Sequence, residues 1–134
     1  DPHSTHQEIA HKYRSYRDQL AEHGHNEARD TPIARLLAIA DTDEKAEAVA
    51  RAGAQWTVGS YANPKSGSGM TSGFSAEDRI DRYINEIIIH GSPSTVTDKL
   101  KELEETMPLD YLMASILSHE TFMRLSEEVM PNLR

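Results

Sequence analysis

Cysteine is absent from this chain, and no long apolar run interrupts its polar composition. Without cysteine, a disulfide framework, thiol catalysis and thiolate metal sites are excluded, and the composition is compatible with the cytosol. No apolar stretch approaches the roughly 18 residues of a membrane span. No charged-then-apolar leader opens the chain, so nothing in it indicates secretion. We therefore expect a cytoplasmic protein.

Basic residues are scarce relative to acidic ones. Lys and Arg together number 14 against 22 Asp and Glu, which gives a formal net charge of −8. Nucleic acids and anionic membranes are recognised by basic surfaces. The acidic balance therefore argues against both kinds of partner.

The length bounds the domain organisation. The chain has 134 residues, enough for one modest domain of about 100–200 residues. It begins with Asp1 and Pro2 rather than Met. Such a start indicates a processed chain, a cloned segment or a proteolytic piece. We treat residues 1–134 as a single domain, either complete or partial.

The first half of the chain alternates helix and strand signals. Apolar residues at helical spacing, together with a capping box formed by Thr5 and Glu8, predict a helix over residues 5–23. Residues 32–40 are apolar on both faces apart from Arg35, which is typical of a strand buried in a parallel sheet. The charge of Arg35 must be paired or reach an edge. It either binds a carboxylate inside a barrel or pairs with an acidic residue elsewhere.

The second half continues the alternation. Residues 43–56 predict an Ala-rich helix, in which Trp56 is expected to pack at the helix end rather than line a substrate pocket. The predicted elements that follow are a short helix over 76–84, a strand over 86–90, a helix from the Ser92 cap to Met107, a buried strand over 111–117, and a final helix capped by Ser118 with Phe122, Leu125 and Val129 on its inner face.

Three strands and four helices, apart from the short helix over 76–84, allow two α/β architectures. They form a small open sandwich, or they are the last three β/α units of a TIM (β/α)8 barrel, which takes about 250 residues. Residues 59–75 interrupt the pattern with a Gly- and Ser-rich loop. Loops of this length in a compact domain are usually functional or disordered.

Two segments carry a resemblance to a known family. One is RIDRYINEIIIHGSPSTVTDKLKEL at residues 79–103, and the other is HETFMRLSEEVMPNLR at residues 119–134. Together they resemble the C-terminus of the bacterial luciferase-like, flavin-dependent monooxygenases. In that family a strand runs into a Gly-Thr/Ser-Pro turn, a helix, a final strand and a last helix. The resemblance covers nearly the whole chain but only about the last two-fifths of the family's length, and favours the partial barrel.

The resemblance implies a cofactor and a chemistry. Family members use reduced FMN and O2 to oxygenate a small organic substrate, and some relatives use a deazaflavin to transfer hydride. The flavin is held mainly by segments that precede the region present here, so no catalytic residue is carried over. In the family, a mobile loop ahead of the Gly-Ser-Pro turn closes over the active site. The resemblance therefore implies that residues 59–75, with Lys65, Gly67 and Gly69, form a lid that excludes water.

Three consecutive residues are the candidates for cofactor binding: His90, Gly91 and Ser92. His90 ends a predicted strand, and it either faces flavin or substrate or is a hydrogen-bonded strand-end histidine. Ser92 either helps to bind an anion or, as we favour, simply caps the helix. A metal site is not expected, because His6 and His11 are five residues apart and point to different helix faces.

Three functions follow from these observations. The first is a C-terminal part of a flavin-dependent monooxygenase, inactive alone. The second is a deazaflavin-dependent oxidoreductase of the same superfamily. The third is a non-catalytic α/β module that associates with itself or a partner, because open strand edges and apolar faces favour association.

Overall fold

The computed structural model describes residues 2–25, 31–61, 75–107 and 110–133. Within these ranges no helix is both long enough and apolar enough to cross a membrane. The elements in chain order are α1 (His6–Glu22), β1 (Pro32–Ile39), α2 (Asp43–Tyr61), α3 (Ala76–Glu86), β2 (Ile89–Gly91), α4 (Pro93–Thr106), β3 (Tyr111–Ile116), α5 (His119–Arg124), a π-helical turn (Leu125–Val129) and a 3₁₀ turn (Met130–Asn132).

The three strands form a parallel sheet in the order β2-β1-β3. β3 pairs with β1 from Pro32↔Tyr111 to Leu37↔Ile116, whereas β2 pairs only with the last three residues of β1. Three successive barrel units would instead place β2 between the other two strands. In this structure β1 lies in the centre, with β2 and β3 on either side.

Helices cover both faces of β1, and alternate side chains of the strand point into two cores. Ile33, Leu37 and Ile39 pack with α1, α4 and the C-terminal turns. Ala38 packs with buried residues of α2 and α3 on the other face. The prediction that this strand is buried on both faces is confirmed.

Arg35 lies inside the first of these faces, where its side chain has no solvent exposure. Its Nη1 donates to the carbonyl oxygen of Ala34 at 3.2 Å. Burial lowers the pKa of Arg35 to about 10, and the nearby Tyr13 opposes this shift. The guanidinium therefore remains charged at neutral pH within the core.

The helix ends depart from the predictions in two places. α2 continues to Tyr61, so the first three residues of the predicted lid are helical. Residues 62–74, with Lys65, Gly67 and Gly69, lie outside the described part of the chain. The strand predicted over 86–90 is shorter, because the amides of Ile87 and Ile88 donate to the carbonyl oxygen of Tyr83 at the end of α3. β2 therefore begins only at Ile89.

β3 and the C-terminus are less buried than predicted. Tyr111 and Met113 on β3, an edge strand, are 51% and 56% exposed. Phe122 is 52% exposed and Trp56 is 67% exposed, so the predictions that they pack inward are wrong. Thr121 takes the inward place next to Phe122, since its hydroxyl bonds the end of β1.

The first helix agrees with its prediction. The Thr5 hydroxyl accepts from the amide of Glu8, and the Glu8 carboxylate accepts from the amide of Thr5, which completes the capping box. The helix ends at Glu22, two residues before Gly24, whose φ is +74°. Ile9 is buried against the core, and the later turns are progressively more exposed.

Candidate functional site

The carboxyl ends of the three strands lie along one edge of the sheet. In open parallel sheets this edge is where ligands bind. The chain leaves β1 at Ala40, leaves β2 at Ser92 and leaves β3 at Leu117. The amide of Ala40 donates to the carbonyl oxygen of Gly91 at 3.4 Å, which continues the pairing beyond the last residue of β1.

Asp43, at the first position of α2, joins this edge to α4. One carboxylate oxygen accepts from the amide of Ser92 at 2.6 Å, and the other accepts from the Thr95 hydroxyl at 3.2 Å. The backbone hydrogen bond from Ser92, followed by the one from the Thr95 hydroxyl, holds the pKa of Asp43 below its usual range. A negative charge of the protein therefore already occupies the N-terminus of α4.

Ser92 itself acts as the N-cap of α4. Its hydroxyl accepts from the amide of Thr95 at 3.4 Å and lies 3.0 Å from the Thr95 hydroxyl. Pro93 occupies the first turn, where its missing N–H costs nothing. The favoured interpretation of Ser92 as a helix cap is confirmed, and its role in cofactor binding stays a prediction.

Gly91 cannot be replaced at this edge without displacement. Its φ is +148°, a region that other residues rarely adopt. A Cβ at this position would lie 2.6 Å from Cγ2 of Thr95 and 3.0 Å from the Asp43 carboxylate. The close approach of Asp43 and α4 to the strand end therefore depends on glycine here.

Thr121, in the helix that follows β3, hydrogen-bonds to the carboxyl end of β1. Its hydroxyl oxygen accepts from the amide of Ile39 at 2.9 Å and lies 3.3 Å from the carbonyl oxygen of the same residue, to which it donates. Ser118 caps α5 through the Thr121 amide at 3.0 Å. The last helix is therefore held directly on the carboxyl end of the central strand.

His90 is half-buried and lines a cleft on the helical side of β2. The cleft has a volume of about 430 Å³ and is bounded by α1, α3, β2 and α4. The carbonyl oxygen of His90 accepts from Nζ of Lys99 at 2.8 Å. Burial, and then the charge of Lys99, lower the pKa of His90. Of the two interpretations of this residue, facing a cofactor stays a prediction.

His6 lines the same cleft, which the sequence analysis did not foresee. Burial is the largest cause that lowers the pKa of His6, followed by the charges of Arg35 and Lys99. No spacing rule links His6 to His90, because the two lie far apart along the chain. Only the packing of α1 beside β2 brings them together.

Metal ligands do not cluster in the described part of the molecule. Among residues 2–25, 31–61, 75–107 and 110–133, no group of three His, Asp or Glu side chains is placed to hold a metal ion.

Comparison with solved structures finds the same fold. The oxygenating constituent of 3,6-diketocamphane monooxygenase from Pseudomonas putida, a type II Baeyer-Villiger monooxygenase in complex with FMN, matches with a TM-score of 0.67 and 21% identity, covering 98% of this chain and 41% of that one. An F420-dependent secondary alcohol dehydrogenase with an F420–acetone adduct matches with a TM-score of 0.66 and 12% identity, over 98% and 41%.

A riboflavin lyase with modified FMN and riboflavin matches with a TM-score of 0.67 and 19% identity, over 98% of this chain and 37% of that one. No protein-family model and no curated protein matches the sequence. The chain thus spans about two-fifths of the length of the solved structures that it resembles. At these identities the comparisons show the fold, a helix-rich α/β arrangement with a small parallel sheet that is shared with flavin- and F420-dependent enzymes.

Proposed function

We propose that this chain is the C-terminal part of a flavin-dependent barrel enzyme, a luciferase-like monooxygenase that uses reduced FMN and O2 to oxygenate a small organic substrate in the cytoplasm. The observation that carries the proposal is structural similarity over 98% of the chain to proteins that bind FMN or F420. The order of sequence motifs from the Gly-Ser-Pro turn to the final helix supports the same family.

The sheet order refines how the chain would enter a barrel. β1 and β3 pair over six residues, so they are the two adjacent barrel strands in this proposal. β2 supplies a short addition beside the carboxyl end of β1. This replaces three successive full-length barrel strands with two, and the open edge of β3 receives the next strand of the barrel.

The strand-end residues do not fit the phosphate of FMN. Asp43 occupies the N-terminus of α4, and its negative charge repels a phosphate at Gly91 and Ser92. We therefore propose that segments outside these residues hold the cofactor and that the chain alone is inactive. Within the chain, Asp43, Gly91 and Thr121 fix the positions of α2, α4 and α5 around the edge of the sheet.

The decisive experiment expresses the complete reading frame that encodes these residues and titrates its product with FMN and with F420, followed by flavin fluorescence and absorbance. The proposal expects saturable binding of FMN by a product long enough to close a barrel, and turnover that consumes O2. A reading frame limited to these 134 residues contradicts the proposal.

The deazaflavin oxidoreductase is the second candidate. The similarity to the F420-dependent alcohol dehydrogenase has nearly the same TM-score, 0.66, as that to the FMN-dependent monooxygenase. The same titration separates the two candidates, because tight binding of F420 with weak binding of FMN, and no consumption of O2, identifies hydride transfer.

The lid is a proposal of its own. We expect residues 59–75, including Lys65, Gly67 and Gly69, to close over the flavin of the complete protein, beginning where α2 ends at Tyr61. Hydrogen exchange of the complete protein should show this segment more protected with flavin than without. Equal protection in both states contradicts a lid.

A non-catalytic, self-associating module is the third candidate. It is favoured by the exposed apolar side chains of Tyr111 and Met113 on the edge strand β3. Edge strands with exposed apolar faces pair readily with other chains. We propose that the isolated chain associates through β3, and light scattering that gives a monomer mass at high concentration contradicts this.

A further inference from the structure

The cleft beside β2 has the walls of a binding site. Its volume of about 430 Å³ falls within the range typical of small-molecule sites, about 300–1,000 Å³. Four of its ten lining residues are aliphatic, and these form an apolar wall: Ile84, Ile88, Ile89 and Leu103. The remaining lining residues are polar: His6, Asn85, His90, Lys99, Glu102 and Thr106.

Both imidazoles of the cleft keep an unused ring nitrogen. Nε2 of His6 and Nδ1 of His90 are inaccessible to solvent and have no hydrogen-bond partner within the described part of the chain. A buried polar atom without a partner lacks the hydrogen bond that it makes to water in the unfolded chain, at a cost of about 1–3 kcal/mol. A ligand with an acceptor atom supplies that partner when the imidazole carries a proton and the ring turns this nitrogen toward the cleft.

The strongest charge acting on each ring is a cation, Arg35 at His6 and Lys99 at His90. Positive charges act on both rings, and Glu102 is the acidic residue among those that line the cleft. The wall residues of α3 carry no charge. The charged groups that act on the rings or line the cleft are Arg35 from β1, Asp43 and Glu47 from α2, and Lys99 and Glu102 from α4.

Other classes of ligand fit less well. A metal ion lacks a cluster of three His, Asp or Glu ligands in the described ranges, and the ammonium group of Lys99 repels it. A bare inorganic anion leaves the aliphatic wall uncovered. The mixture of an apolar wall with basic side chains matches a molecule that has both an apolar body and a negative charge.

We propose that the cleft between α1, α3, β2 and α4 binds a small aliphatic carboxylate, with the carboxylate against Lys99 and the imidazoles of His6 and His90, and the hydrocarbon against the isoleucines. The proposal is independent of the flavin. Since burial and Lys99 lower the pKa of both histidines, the rings are neutral in the empty cleft. A bound carboxylate favours their protonated form, so binding takes up protons.

The test uses 4-methylpentanoate, its neutral amide 4-methylpentanamide, and inorganic phosphate. Each is titrated into the chain at about pH 7, while NMR follows the ring nitrogens of the histidines. A carboxylate with about eight non-hydrogen atoms should bind with a dissociation constant of about 1 mM. We expect the His6 and His90 signals to move toward imidazolium, and the amide to bind about tenfold more weakly.

Two lysine variants provide matched controls on the same helix. Lys99→Gln should weaken binding of the carboxylate about tenfold, because it removes the cation of the cleft. Lys101→Gln makes the same change in net charge at an exposed position that does not line the cleft, and should leave binding unchanged. Both lysines are exposed, so circular dichroism should show both variants folded.

Four outcomes overturn the proposal. They are the absence of a saturable change at both histidines, equal binding of the amide and the carboxylate, binding of phosphate as tightly as the carboxylate, and equal loss of binding in the Lys99 and Lys101 variants. Proton uptake measured calorimetrically in buffers of different ionisation enthalpy adds an independent readout, and its absence also overturns the proposal.

Discussion

Replacing Gly91 with Ala perturbs the junction of β2 and α4 by a single methyl group. The φ of +148° costs a residue with a side chain about 1–3 kcal/mol. The added Cβ also lies 2.6 Å from Cγ2 and 2.8 Å from Cβ of Thr95, and overpacking of this kind costs about 1–3 kcal/mol. Gly91→Ala should therefore lower the free energy of unfolding by about 2–6 kcal/mol.

Two other glycines provide controls for this substitution. At Gly24, φ is +74° but nothing lies within 4 Å of an added Cβ, so Gly24→Ala should cost about 1–2 kcal/mol from the backbone alone. Gly59 lies in α2 with open space around it, and Gly59→Ala should stabilise the protein by about 0.5–1 kcal/mol. Urea unfolding followed by circular dichroism measures all three. A midpoint for Gly91→Ala at or above that of Gly24→Ala refutes the steric reasoning.

Three further predictions follow from other contacts. Thr121→Val should lower the free energy of unfolding by about 1–3 kcal/mol, because it leaves the buried amide of Ile39 without its acceptor, whereas Thr121→Ser should restore most of the loss. His6 and His90 have pKa values below the unfolded value of 6.5. Their contribution to stability is therefore complete above pH 6.5 and is lost as the pH falls from there through the folded pKa values. Unfolding curves across this range should show the loss of stability, and the double variant with Gln at both positions should show a smaller dependence on pH. Met113→Lys, at a side chain that is 56% exposed, should reduce self-association in sedimentation experiments and leave the unfolding midpoint unchanged, and an unaltered association constant would place the contact elsewhere.

The helices were largely predictable because their signals are local. Thr5 and Glu8 lie three residues apart, and the reciprocal hydrogen bonds of their capping box depend on neighbouring backbone alone. Ser92 followed by Pro93 likewise determines where α4 begins. The apolar character of residues 32–40 also predicted a strand with helices on both faces, since alternate side chains of a strand point to opposite faces and both sets are apolar here.

Strand order and edge exposure were not predictable in the same way. β2 and β3 are both edge strands with apolar residues, yet Ile89 of β2 is buried and Met113 of β3 is exposed. An apolar side chain indicates that a residue can be buried, but it does not indicate which other element packs against it. The inward turn of Thr121 in place of Phe122 depends on one hydrogen bond to the end of β1, which no helical period specifies.

The candidate site was predictable only in part. The Gly-Ser-Pro turn indicated where β2 meets α4. The hydrogen bond from the amide of Ser92 to Asp43 could not be predicted, because it depends on where α2 lies relative to this turn. From its spacing to His11, His6 is predicted only not to hold a metal ion, and its place beside His90 comes from tertiary packing. The lid stays a prediction, because most of it, residues 62–74, lies outside the described part of the chain.

The central place of β1 has a consequence for the order in which the chain can fold during synthesis. β1 is synthesised about eighty residues before its six-residue partner β3 and the Thr121 hydroxyl that hydrogen-bonds to its end. Pairings so distant along the chain form slowly, and an unpaired strand is prone to aggregate while it waits. A nascent chain released before residue 110 would retain its first helices but carry a central strand with an open side, and would be a ready substrate for chaperones.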